Sequence, residues 1–124
     1  MSSSAGPEVS ILIPHFRTLQ LTQFCLRSLR KFTELGRIQV IVIDNGSKDA
    51  STEYLRGLSW ITLLERELAA GEGVADAHSR ALDLGLTQAT APYVLSMHTD
   101  TIVTSDKWLD YLLEHIEGDP QVAG

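Results

Sequence analysis

The sequence predicts an α/β fold, a mostly parallel sheet with helices on both faces. Two observations carry this. Short β-branched, apolar runs alternate along the chain with segments whose apolar residues recur at helical spacing. And the run Ile38 to Ile43 (Ile-Gln-Val-Ile-Val-Ile) is almost wholly apolar, the pattern of a strand covered on both faces. The 124 residues contain no repeat, low-complexity tract or internal linker, which suits one domain.

The elements follow in order. Val9 to Ile13 reads as a buried strand stopped by Pro14. Thr18 to Glu34 reads as a helix with Leu21, Phe24, Cys25, Leu29 and Phe32 on its apolar face and Gly36 as its stop. Ile38 to Ile43 is the central strand, and Asp44-Asn45-Gly46-Ser47 is turn chemistry at its end. Asp49 can cap a short helix through Leu58. Trp60 to Leu64 is the third strand, Gly73 to Gln88 an Ala- and Leu-rich helix, and Tyr93 to Met97 the fourth strand. Ser105 can cap a last helix, with Trp108, Leu109, Leu112, Leu113 and Ile116 in one stripe and Gly118 and Pro120 as terminators. Met1 to Glu8 reads as a flexible leading segment, and Gln121 to Gly124 as the approach to a further strand.

Composition excludes several classes. The net charge of -6 repels phosphate backbones, so nucleic acid is not an expected partner. A bound phosphate would need a metal ion or backbone N–H groups to offset that charge. A single cysteine, Cys25, rules out a disulfide framework and a cysteine-built zinc site, and its place on a helix face makes it a core residue. The first residues lack a leader pattern, and no apolar run is long enough to span a bilayer. The expected location is the cytoplasm, with work at the cytoplasmic face of a membrane compatible with it.

Open α/β sheets bind ligands outside the carboxyl ends of their strands. There the chain offers Pro14-His15-Phe16-Arg17, Asp44 to Asp49, Glu65-Arg66-Glu67 with Gly71-Glu72-Gly73 beyond, and His98-Thr99-Asp100-Thr101. Parallel strands bring all of these to one rim, where Asp44 and Asp100 would face one crevice. In an extended segment His98 and Asp100 point to the same side, and together they suit a divalent cation bridging a diphosphate. The bland reading is a polar turn capped by Asp100. Asp44 could accept N–H bonds from a planar base or bond its own backbone in an Asx turn, and Gly46 would allow close approach to a ligand. The residues alone leave these alternatives open. Gly71-Glu72-Gly73 lacks the third glycine of a dinucleotide fingerprint.

Together these segments resemble family 2 glycosyltransferases, from Val9 to the last residue. Val9-Ser10-Ile11-Leu12-Ile13-Pro14 is similar to the family's opening strand, and Phe16 to the aromatic that follows, with Arg17 where asparagine is usual. Ile41 to Ser51 is close to the second-strand motif, Gly73 to Ser79 to the Gly-x-Ala-x-Ala-x-Asn helix start, and Tyr93 to Asp100 to the strand leading into the Asp-x-Asp metal motif. Ser79 replaces that asparagine, His78 falls where some members carry arginine, and His98 replaces the first aspartate of the metal motif.

The resemblance implies a Rossmann-like GT-A half-domain over residues 9–124, truncated at its C-terminus. It implies a nucleotide-diphosphate sugar as donor, most naturally a UDP-sugar, with Pro14, Phe16, Asp44, Asn45, Gly46, Gly73, His78, His98 and Thr99 around it. Asp100, with His98, would bind Mn²⁺ or Mg²⁺. Transfer would be inverting, onto a glycan or lipid-linked acceptor as in polysaccharide biosynthesis, with the catalytic base beyond residue 124. The alternatives are a degenerate, non-catalytic α/β module binding nucleotide or protein, and a haloacid-dehalogenase-like phosphatase, which His98 in the nucleophile's place disfavours. A half-domain would leave sheet edge and apolar surface uncovered, so a homo-oligomer is expected.

Overall fold

The structure, a computed structural model, describes residues 6–118. Expectations for residues 1–5, for Pro120 and for Gln121 to Gly124 lie outside the described residues. Glu8, grouped above with the leading segment, is tied by its backbone N–H to the carbonyl of Arg37 at 2.7 Å.

Strand β1 (Val9–His15), helix α1 (Leu19–Phe32), a 3₁₀ turn (Leu35–Arg37), β2 (Ile38–Asp44), α2 (Ala50–Arg56), β3 (Thr62–Glu65), α3 (Val74–Leu86), β4 (Tyr93–Ser96) and α4 (Trp108–Gly118) follow one another. The four strands form one sheet in the order β3-β2-β1-β4, and every pairing is parallel. Period-two alternation sorts the two faces. Val9, Ile11, Ile13, Val40 and Val42 pack with Cys25, Leu26 and Leu29 of α1, Leu55 of α2, and Leu109 and Leu113 of α4. Leu12, Ile41 and Ile43 pack on the other side with Ala81 of α3. Helices therefore cover both faces, and the central strands are buried except for the half-buried Pro14 and Gln39.

Several element ends differ from the sequence reading. β1 runs through Pro14 to His15, because a proline costs a strand nothing where no acceptor faces its nitrogen. The Leu12 carbonyl faces β4, where it accepts from the Met97 N–H, so Pro14 faces that side too, past the last paired residue, Ser96. α1 stops at Phe32, short of Gly36, because Thr33 turns extended and its hydroxyl accepts from the Trp108 indole N–H at 2.8 Å.

The buried stripe of α1 is also rotated. Leu21 and Phe24 are exposed, while Thr22, Leu26 and Ser28 are buried. The two hydroxyls tolerate burial because each is bonded, Thr22 to His15 and Ser28 to the Val103 N–H. β4 alternates half-buried and exposed residues, and with β3 it is an edge strand among the described residues. Asp49 caps α2 as expected, accepting from the Ser51 N–H at 3.0 Å.

Candidate functional site

The all-parallel sheet places the ends of β1, β2, β3 and β4 on one rim. His15 is level with Asp44, and Asp44 with Glu65. Two clefts open there. The first, of about 450 Å³, lies between the ends of β2 and β3 and the start of α2. It is polar, lined by Asp44, Lys48, Asp49, Thr52, Arg56 and Arg66 among others. The second, of about 220 Å³, is mostly apolar and lies between the end of β1 and α3, with Pro14, Phe16, Leu68, Val74, Ala77 and His78 in its wall.

Asp44 is 2% exposed. Its Oδ1 accepts from the Ser47 N–H at 3.1 Å and its Oδ2 from the Thr52 hydroxyl at 2.6 Å. The Asx-type turn is thus present. A carboxylate has about four acceptor positions, so each oxygen keeps capacity beyond the bond it makes. Gly46, at φ 74°, needs glycine's freedom, and its open side faces the chain itself: a Cβ there would lie 3.4 Å from the Arg66 carbonyl. Arg17 also has a left-handed backbone, at φ 52°, a conformation asparagine tolerates better. Two bonds to Ser47 hold it, from the Arg17 N–H to Oγ at 2.9 Å and from Nε to the carbonyl at 3.1 Å.

Between the clefts stands an ion pair that sequence reading did not single out. The Arg66 guanidinium donates to both Glu72 carboxylate oxygens and to Asn45 Oδ1 at 2.8 Å. Arg80 adds a contact to Glu72 at 3.2 Å, and the Ala69 N–H donates at 3.1 Å. The Arg66 guanidinium, then the Ala69 N–H, pull the Glu72 carboxyl down to about 2. Asn45 is fixed from its other end by donating to the Ala77 carbonyl at 3.3 Å. Arg66 and Glu72 are six residues apart on an irregular loop, so no periodicity announces them.

The sequence places His15 on the rim without giving it a role. It is 1% exposed, with Nδ1 2.7 Å from the Thr22 hydroxyl and Nε2 2.8 Å from the Ser51 hydroxyl. Burial pushes its pKa below the ordinary 6.5, against the opposing pull of Asp44 and Asp49. Hydrogen bonds from Ser51 hold the Asp49 carboxyl below the usual carboxylate range.

His98, Thr99 and Asp100 follow β4. His98 is exposed, and its ring stacks on that of His78 from α3, with centroids 5.6 Å apart and planes 14° apart. Thr99 accepts a hydrogen bond from the Thr18 hydroxyl at 3.3 Å. Asp100 is exposed. It shares the carboxyl rim with Asp44, with β1 between their strands, and it lines neither cleft. The structure thus joins Pro14, Phe16, Asn45, Gly73 and His78 around the apolar cleft, brings His98 to its edge through the stack, and sets Asp44 and Gly46 in the polar one. Among the described residues no group of three or more His, Cys, Asp or Glu side chains is placed to hold a metal ion. His98 and Asp100 are two donors on one turn. The turn is closed by the Thr101 N–H on the His98 carbonyl at 3.1 Å, in place of the extended segment the sequence predicts, so strand alternation does not set these two side chains on one side. Cys25 is sealed in the core, where burial and then Asp100 push its thiol up to about 11.

Solved structures share this architecture. Residues 1–349 of S. aureus TarS superpose with a TM-score of 0.72 at 19% identity, covering 90% of this chain and 32% of that one. The same TarS fragment was solved in complex with UDP-GlcNAc, with a TM-score of 0.67 at 20% identity, over 90% of this chain and 31% of that one. The mannosyltransferase PcManGT from Pyrobaculum calidifontis, in complex with GDP-Man and Mn²⁺, gives 0.72 at 20% identity over 95% of this chain and 34% of its own. Glucosyl-3-phosphoglycerate synthase from Mycobacterium tuberculosis, in complex with UDP, gives 0.61 at 19% identity, over 99% and 43%. The chain spans about a third of the length of the TarS fragment and of PcManGT, and 20% of the longer TarS chain. No curated protein matches it. Residues 10–124 match the family described as Glycosyl transferase family 2, and at that coverage the chain belongs to it.

Proposed function

We propose that this chain binds the donor of a glycosyltransferase, a nucleotide-diphosphate sugar and most naturally a UDP-sugar. The observation that carries the reading is the pair of adjoining clefts on the carboxyl rim, one polar and one apolar, within a family 2 fold. The polar cleft offers Asp44 as acceptor for a base N–H. The apolar cleft offers Pro14 and Phe16 as flat surfaces against which a ring can rest, and Gly73 opens α3 beside it. TarS with UDP-GlcNAc and PcManGT with GDP-Man support a ligand of this class.

Asp100 and His98 are the residues proposed to meet Mn²⁺ or Mg²⁺ jointly with the diphosphate, and PcManGT with Mn²⁺ supports such a cation. When bound, the cation would neutralise phosphate charge that a chain of net charge -6 otherwise repels. The inverting course and a glycan or lipid-linked acceptor complete the proposal. So does work in the cytoplasm, at the membrane face for a lipid-linked acceptor. Among the described residues no helix is long and apolar enough to cross a membrane. Exposed Leu21, Phe24 and Val94 support self-association, which light scattering tests.

The decisive experiment is thermal unfolding with UDP, with and without Mn²⁺. A ligand that binds only the folded state raises the midpoint, by about 2.7 kcal/mol of stability at a hundredfold excess over Kd. A cation-dependent rise that disappears in Asp100→Ala is expected. No rise at millimolar UDP with Mn²⁺ overturns the reading.

A further inference from the structure

His15 sits at the centre of a side-chain hydrogen-bond chain that crosses the rim, donor counting places a proton on its Nε2, and burial favours the neutral ring. Asp49 carries a carboxylate, which only accepts, and it is bonded to the Ser51 hydroxyl. The single hydroxyl proton of Ser51 is therefore committed to Asp49. Ser51 Oγ must then accept from His15 Nε2, 2.8 Å away, so that nitrogen carries the ring proton. In the neutral ring Nδ1 is left as an acceptor and takes the Thr22 hydroxyl proton at 2.7 Å. The Thr18 hydroxyl continues the chain, and its one proton is shared between the Thr22 hydroxyl oxygen at 3.1 Å and that of Thr99 at 3.3 Å.

The links Asp49, Ser51, His15, Thr22, Thr18 and Thr99 thus run from the polar cleft at the start of α2, past the end of β1, to the loop after β4. Ser51, His15 and Thr22 are no more than 1% exposed, so water does not compete for these bonds. Thr99 stands between His98 and Asp100.

We infer that His15 is a positioning residue: as the Nε2–H tautomer it couples the polar cleft to the β4 loop. A nucleoside held at one and a divalent cation held at the other then strengthen each other's binding. This rests on the donor-binding reading above. A ligand that orders one end of a shared network lowers the cost of ordering the other end.

The test uses uridine, which has no phosphate to reach the cation, so that mutual effects must pass through the protein. In the native chain Mn²⁺ should tighten uridine binding by about fivefold, the low end of ordinary coupling between sites. Ser51→Ala and His15→Leu should reduce that factor to about one, and His15→Gln, whose amide can still donate toward Ser51, should restore part of it. Two further measurements need no ligand. Nitrogen chemical shifts should report the Nε2–H tautomer for His15. Amide hydrogen exchange at residues 98–101 should speed up by about tenfold in Ser51→Ala, as expected for a locally loosened loop.

An Nδ1–H tautomer, or unchanged exchange at 98–101 in Ser51→Ala, overturns the inference even if His15→Leu fails to fold. Uridine and Mn²⁺ coupling that survives in Ser51→Ala overturns it alone. A native chain that binds neither UDP nor uridine overturns the donor reading and the ligand coupling together.

Discussion

Arg66 grips Glu72 at two points, Nη1 to Oε2 at 2.8 Å and Nη2 to Oε1 at 3.0 Å, and the carboxylate so held has 1% side-chain exposure. The pair fastens the loop after β3 to the start of α3 and keeps the two clefts apart. Its stabilisation depends on the carboxylate charge. The carboxyl titrates near 4.5 in the unfolded chain and near 2 in the folded one. The unfolded state binds more protons between those values, so the contribution is complete above 4.5 and is lost as pH falls through 2. Glu72→Gln should therefore lower the melting temperature at pH 7, and the gap from the native chain should close as the buffer approaches pH 2. Thermal unfolding of both chains across that range checks it. A constant gap would mean that the charge is not what holds the loop.

Gly85 tests how closely α3 lies on the sheet. A Cβ there would come within 3.0 Å of Ile43 Cδ1 and 3.2 Å of Leu12 Cδ2. Alanine gains about 1 kcal/mol in helix propensity over glycine. Forcing extra volume into a packed contact costs about 1–3 kcal/mol. The balance predicts that Gly85→Ala is destabilised by about 1 kcal/mol, a fall of a few degrees in melting temperature for a domain of this size. Gly85→Leu should be worse. Chemical denaturation measures both, and a more stable Gly85→Ala would show that the helix stands further off.

Cys25 should be inert in the native protein. With its thiol pushed up to about 11 and no exposed surface, little thiolate is present near pH 8, and reagents cannot reach it. Alkylation at pH 8 should be slower by at least about a hundredfold than in denaturant, where the thiol returns to its ordinary range. Mass spectrometry of the alkylated chain reads this directly. Fast labelling under native conditions would place Cys25 outside the core.

What the sequence reveals is what local pattern encodes. Ile38 to Ile43 announces a strand buried on both faces because every residue but Gln39 is apolar and β-branched. Asp49 announces a cap because its side chain needs only a neighbour two residues on. Pro14 misleads, since its cost to a strand depends on which edge its nitrogen faces, and that depends on β4, some eighty residues later. Leu21 and Phe24 mislead for a related reason. They fit the helical spacing, but Thr22 and Ser28 take the buried stripe once His15 and Val103 supply partners. The site divides the same way. The rim residues are legible from their place after strands. The Arg66 clamp rests on bonds 6 and 21 residues apart and the His15 chain on bonds 7, 36 and 81 residues apart, and no spacing rule records such pairings.

Because all four strands run in one direction, their amino ends lie together at the end of the sheet opposite the rim. Gly36 lies there, exposed and with nothing within 4 Å of where a side chain would start. It precedes β2, and that strand, which ends at Asp44, spans about 20 Å at the usual rise per residue. A fluorophore or a short peptide grafted at Gly36 would report on the molecule from a distance, without touching the surface where a donor would be held.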